Sequence, residues 1–153
     1  MAVEFGPAKS ADLPQLVELL GILFAQEAEF SPDADKQKRA LEAILANPAQ
    51  GRIFVAREGK RVVAMASLLF TISTAEGGKA AWFEDLVVLP SHRSQGIAEA
   101  MLKEVIAQAR ADGVLRITLL TDMQNERAQA LYRRAGFVGS PMRPMRLKMK
   151  KIP

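Results

Sequence analysis

Apolar residues recur along this chain with two different periods, and the switches between them divide it into elements. From Ala11 to Phe30, Leu13, Leu16, Val17, Leu19, Leu20, Leu23 and Phe24 fall at helical spacing, with Ser10 or Asp12 placed to cap the start. The polar loop "EFSPDAD" precedes a second helix, Lys36 to about Ala46, which "NPAQG" terminates. "RIFVARE" and "RVVAMASLLFTIST" flank "GK", the pattern of a hairpin. After the turn "EGGK" comes a third strand, Ala80 to Leu89, stopped by Pro90. In the next helix Ile97, Met101, Leu102, Val105, Ile106 and Ala109 form one apolar stripe, while Glu99, Lys103, Glu104, Gln108 and Arg110 line the far side. It runs to about Ala111, with Gly113 suited to the position after its C-cap. "VLRITLLT" reads as a buried strand, and Asn125 to Ala135 as a short helix closed by Gly136. Val3 to Pro7 at the start and two brief strands at the end complete the series.

The order β-α-α-β-β-β-α-β-α-β-β restricts the topology. Its β-α-β crossover demands a parallel pair, whereas the hairpins before it demand antiparallel neighbours. The expected class is α/β (α+β): a mixed, twisted sheet of about seven strands with four helices packed on its faces, in one domain over residues 1–153.

Composition narrows the function. About half the residues are apolar (49%) and a quarter charged (25%), as in ordinary globular proteins. The longest apolar run, Val62 to Phe70, is far too short to span a bilayer, and no basic stretch followed by an apolar core opens the chain. A cytoplasmic protein without a membrane partner is expected. Without cysteine there is no disulfide, thiolate metal site or acyl-cysteine intermediate, and no other metal-ligand spacing stands out.

Charge is unevenly spread. Residues 127–153 carry 8 basic residues and no acidic one, which leaves 13 basic against 17 acidic in the remainder, or +8 beside −4. Such asymmetry suits an anionic partner, although a solvated basic tail would look the same. Nucleic acid is not expected, because the chain's one tyrosine lies outside the basic tail, where stacking platforms would be needed.

The join between the third strand and the next helix, "LPSHRSQGIAEAMLKEV", holds the chemistry. The first N–H groups of a helix lack intrahelical partners, and the helix dipole adds positive potential there. Gly96 leaves those amides bare, Ala98 intrudes little and Arg93 supplies positive charge. These residues make an anion site of the pyrophosphate-binding kind, or a plain turn and cap. No Gly-Lys-Ser/Thr follows, so this is not a Walker loop. His92 reads as a loop residue.

"RSQGIA" matches the Q/R-x-x-G-x-G/A signature of the GNAT superfamily of acyl-CoA-dependent N-acetyltransferases. "FEDLVVLPSHRSQGIAEAML" resembles that family's strand, pyrophosphate loop and helix, and "NERAQALYRRAGF" its second signature. The element order is also the GNAT order, so the resemblance covers essentially the whole chain. Two departures stand out: Arg93-Ser94-Gln95-Gly96 where Arg-Gly-x-Gly is frequent, and Ala98 for the commoner second glycine. The resemblance implies acetyl-CoA as cosubstrate, its pyrophosphate on the amides of Ser94, Gln95, Gly96, Ile97, Ala98 and Glu99 beside Arg93. It implies Asn125 as a further coenzyme A contact. Backbone N–H groups of Leu86, Val87 and Val88 would meet the thioester carbonyl and pantetheine arm.

Acetyl transfer to an amine needs a proton removed from the amine and one returned to the leaving thiolate. Tyr132 is the only tyrosine, and a phenol of ordinary pKa about 10 is matched to an alkyl thiolate. It shares a helix face with Asn125, Ala128 and Ala135, with Asn125 roughly 10 Å away along the axis. The resemblance makes Tyr132 the general acid. Glu84 lies mid-strand between large apolar residues, a costly place for a carboxylate, while Asp85 points to the other face by alternation. The resemblance makes Glu84 the base, with a salt-bridged strand carboxylate as the other reading.

Glu27, Glu29, Asp33 and Asp35 gather at the first interhelix loop, where they can attract a cationic amine or remain solvated surface. The expected function is acetyl transfer from acetyl-CoA to a primary amine of a small molecule or peptide, by direct attack in a ternary complex. A non-catalytic acyl-CoA-binding module is the alternative, and a homodimer is left open.

Overall fold

The computed structural model describes residues 2–27 and 29–149. Along the chain run β1 (Val3–Pro7), α1 (Leu13–Gln26), α2 (Ala34–Ala46), β2 (Gly51–Glu58), β3 (Arg61–Ser73), β4 (Gly78–Val88), α3 (Ile97–Ala111), β5 (Ile117–Leu119) and α4 (Glu126–Arg134). Single turns of 3-10 helix precede α1 at Ser10–Asp12 and α3 at Pro90–His92.

The strands form one sheet in sequence order, β1-β2-β3-β4-β5. The first three pairings are antiparallel, and β4 and β5, joined through α3, are parallel. Every residue of β3 from Val62 to Leu68 is buried, which requires cover on both faces. α1 and α2 pack on each other and over β2–β4 from one side, and α3 covers β2–β4 from the other. The α3 stripe is buried as its spacing predicts, with Ile97, Met101, Leu102, Val105 and Ala109 in the core and Ile106 against it.

Charged residues fix how the helices seat. Asp12 sits at the cap position of α1, yet its carboxylate leaves the helix amides uncapped. It accepts instead from the Lys9 N–H (2.6 Å) and the Arg57 guanidinium (2.6 Å to Nη2), tying the start of α1 to β2. Asp112, the C-cap of α3, accepts two hydrogen bonds from Arg52 at the start of β2, at 2.6 and 2.8 Å. Gly113 follows with φ +78°, a conformation that favours glycine at a helix end.

Five strands stand where about seven were expected. "VLRITLLT" contributes only Ile117–Leu119 to the sheet, and the described residues after α4 form no strand. Pro141 and Pro144 lack the N–H that a ladder needs, which interrupts pairing through that segment. α1 ends at Gln26 rather than Phe30, because Glu27 is already extended at ψ 136°. Among the described residues, no helix is long and apolar enough to cross a membrane.

Asp12 is only 5% exposed, so removal of Arg57 strands a buried charge. Arg57→Ala is expected to lower unfolding free energy by about 3 kcal/mol in urea titrations at neutral pH. The hydrogen-bonded Arg57 guanidinium, assisted by Lys9, holds the Asp12 carboxyl below its ordinary value. The stability it contributes is therefore present above the usual carboxylate range and lost as pH falls through the lowered value. The gap between variant and native protein narrows in acid.

Candidate active site

β3 and β4 lose register in the middle of the sheet. Ser67 pairs with Glu84, but Met65 pairs with Val87, so β4 spends one residue more than β3 over this stretch. The excess is a bulge at Asp85, whose φ of +60° is rare for a residue other than glycine. Ser67, opposite the bulge, is fully buried, and its hydroxyl has no partner.

On its other edge β4 pairs with β5 only through Ala81–Phe83. Among the described residues, that edge is unpaired from Glu84 onward. The sheet thus opens between β4 and β5, and Leu86, Val87 and Val88 lie along the open side.

The loop after β4 turns through two positive-φ residues, Ser94 (+62°) and Gly96 (+78°). Alternation of left-handed and ordinary residues turns successive amides to one side, as in anion-binding nests. Gly96 is the N-cap of α3 and no side chain caps that helix. A Cβ built at Gly96 meets nothing within 4 Å, so the space over the helix start is free for a ligand. Amides from Gln95 to Glu99, bare and at the positive end of a helix of 15 residues, suit a diphosphate.

Two arginines hold this loop, one within it and one on α4. The Arg93 side chain donates from Nε to the Val88 carbonyl (3.1 Å), so it pins the loop to the end of β4. Arg127 on α4 adds a second positive charge, its Nη2 donating to the Ser94 hydroxyl at 3.0 Å. Arg127 counted in the sequence only as one of a basic run. His92 sits in the turn as expected, with Nδ1 2.8 Å from the Ser91 hydroxyl and Nε2 3.3 Å from Glu58.

α4 brings the second motif to the opening. Asn125 is its N-cap, and its Oδ1 accepts from the Ala128 N–H at 3.1 Å. Tyr132, half-buried, packs edge-on against Phe83 of β4 (centroids 6.2 Å) and Phe137 (5.9 Å). No hydrogen-bond partner holds its hydroxyl among the described residues. Burial, and then the Glu27 charge, push the phenol above its ordinary value.

Carboxylates surround this opening. Burial raises the Glu27 carboxyl, and Asp122, Glu29 and Glu84 add to the effect. Asp85, half-buried, lines a cavity of about 240 Å³ between α1 and α2 with Leu20, Phe24 and Leu41. Burial first, then the charges of Glu84 and Glu27, push its carboxyl up to about 7. Glu84 itself is exposed at the cleft, not enclosed as its apolar neighbours suggested. The adjacent acids in "WFEDLVV" were the one sequence signal for Asp85. Among the described residues, no three His, Asp or Glu side chains come close enough to hold a metal ion.

A bare helix tip, a sheet opened beside it and a phenol on the neighbouring helix thus lie together at one end of the fold. The chain matches the acetyltransferase (GNAT) family over residues 16–137, and it belongs to that family. It is 28% identical over 140 residues to the glucosamine 6-phosphate N-acetyltransferase of Trypanosoma brucei brucei, with 88% of each chain covered. It is 34% identical over 89 residues to the rat N-acetyltransferase 8F1, covering 58% of this chain and 40% of that one. The chain thus spans well under half the length of that rat relative. A solved integron cassette protein from the Cole Harbour salt marsh metagenome superposes with TM-score 0.83 at 29% identity, over 96% of this chain and 91% of that one.

Asp85 also leaves a trace in stability. Its proton is held more tightly folded than unfolded, so this group's contribution is complete below pH about 4 and lost as pH rises toward 7. Asparagine tolerates positive φ and carries no charge. Asp85→Asn is expected to be the more stable protein at pH 8, by on the order of 3 kcal/mol. In paired urea titrations the advantage shrinks toward pH 4; an equal gap at both pH values rules this account out.

Proposed function

We propose that the chain transfers the acetyl group of acetyl-CoA to the primary amine of a cationic small molecule or peptide, by direct attack with both substrates bound. The observation that carries this reading is Tyr132. Its phenol is half-buried, has no partner for its hydroxyl among the described residues, and packs on the residue next to Glu84.

The residues present fit coenzyme A. The amides from Gln95 to Glu99 would hold the pyrophosphate, with Arg127 beside them and Asn125 further along. Bound acetyl-CoA supplies the acyl group as an activated thioester. The N–H groups of Leu86 to Val88 on the open edge of β4 suit the carbonyl oxygen and pantetheine amides.

The remaining work is proton handling. An incoming ammonium must be neutralised, and Glu84, exposed at the cleft, accepts that proton directly or through water. Tyr132, its pKa raised, stays protonated at neutral pH and holds a proton at Oη for the departing sulfur. Asp85, poised at about 7, lies next to the base and adds negative potential.

Acceptor charge follows from the same residues. Glu27, Glu84, Asp85 and Asp122 favour a cation, and they oppose a phosphorylated amino sugar of the kind named for the trypanosome relative.

A panel of amines scored by free thiol released from acetyl-CoA tests the proposal, and a chain without cysteine adds no background. Release with cationic amines, and little with glucosamine 6-phosphate, is expected. Tyr132→Phe should lower kcat by about 10²–10³-fold with an unchanged dissociation constant for acetyl-CoA. Equal turnover in that variant removes Tyr132 from its role, and acetyl-CoA binding without thiol release from any amine leaves a ligand-binding module.

A further inference from the structure

The stretch between α1 and the first turn of α2, residues 27–35, holds four carboxylates and no basic residue. Asp33 spends its charge locally, accepting from the Lys36 N–H at 3.2 Å as the cap of α2. Glu29 has a partner from the far end of the chain: Arg146 Nη1 donates to both of its oxygens, at 2.7 and 2.8 Å. The same guanidinium stands 5.8 Å over the ring of Phe30, which is exposed. A carboxylate beside an aromatic face is a combination that recognises a planar cation.

Phe24 of α1 ties this pair to the cleft. Phe30 packs edge-on against it at 5.7 Å, and Phe24 lines the cavity that contains Asp85. The Glu29 charge helps to raise the Glu27 carboxyl, and Glu27 acts in turn on Asp85 and Tyr132. The pair therefore borders the acidic opening from the side of α1.

Arg146 fills this place poorly. One nitrogen serves both oxygens, whereas a guanidinium free to turn presents two parallel N–H groups to a carboxylate. Its 5.8 Å from the ring is close to the outer limit of about 6 Å for a cation over an aromatic face. Both side chains of the ion pair are about half-exposed, and exposed pairs hold weakly. An occupant held this loosely is displaceable.

We propose that Glu29 and Phe30 form a subsite for a guanidinium on the acceptor, remote from its reacting amine, and that Arg146 occupies this subsite until the acceptor arrives. The inference rests on the acetyl-transfer reading and narrows its cationic acceptor to one with two positive ends, the second of them planar. An ammonium carries the charge but lacks the paired N–H groups and the flat face. The guanidinium can belong to a small aminoalkylguanidine or to an arginine near the reacting amine of a peptide, with the same chemistry at Glu29 and Phe30.

Two measurements on the full chain test the proposal. The first follows the Arg146 Nε–H resonance in protein carrying isotope-labelled arginine, identified by its loss in Arg146→Lys. Millimolar aminoalkylguanidines should move it, while alkyl monoamines and diamines of equal length leave it in place. This readout needs no turnover. The second compares KM values from thiol release. Arg146→Ala should lower the KM of a guanidine acceptor, relative to its matching monoamine, by about five- to tenfold. Glu29→Gln should raise the same ratio, and lysyl peptides with and without a nearby arginine separate peptide from small-molecule acceptors. A resonance unmoved by guanidines, or moved as far by monoamines, overturns the proposal, as does a KM ratio unchanged in both variants. A moved resonance with no thiol released from any amine instead overturns the acetyl-transfer reading and leaves the guanidinium site standing.

Discussion

One surplus residue in β4 organises everything around it. Across the bulge, β4 takes three residues to pass two of β3, and beyond Phe83 its other edge has no partner among the described residues. The exposure of Glu84 and the burial of Asp85 go with the same local geometry. So does the direction of the loop that follows, since Arg93 fastens it to the carbonyl of Val88, the last residue of the displaced strand.

The bulge is also where the fold works against itself. A non-glycine residue at φ +60° is unfavourable, and a half-buried carboxylate with no counter-ion among the described residues is more so. Charged pairs elsewhere have the opposite character. Arg57–Asp12 and Arg52–Asp112 each close with two hydrogen bonds and seat a helix end on β2. The chain thus settles its charges at the periphery and leaves them unsettled at the cleft.

Much of this was legible in the sequence. The helical stripe from Ile97 to Ala109, the glycine before it and the parallel crossover around it follow from spacing alone. Three features did not. Alternation assumes an unbroken strand, so a bulge at an aspartate rather than a glycine leaves no mark in "WFEDLVV". Side-chain direction is a second gap: Arg93 turns to a strand carbonyl and Asn125 caps its own helix, choices set by backbone groups that a sequence does not place. The third is pairing. The alternation from Met145 to Met149 is that of a strand, yet a strand exists only where an edge receives it, and Pro141 and Pro144 precede it. The same holds for α1, whose helix-tolerant "QEAEF" turns extended at Glu27.

The contact between Phe83 and Tyr132 has a mechanical meaning. Phe83 belongs to the sheet and adjoins Glu84, while Tyr132 rides on α4, and the edge-on rings join the two at 6.2 Å. Phenol and carboxylate are thereby mounted on one stiff bracket, and the spacing of the two side chains is held by that contact whatever varies in the loops around it.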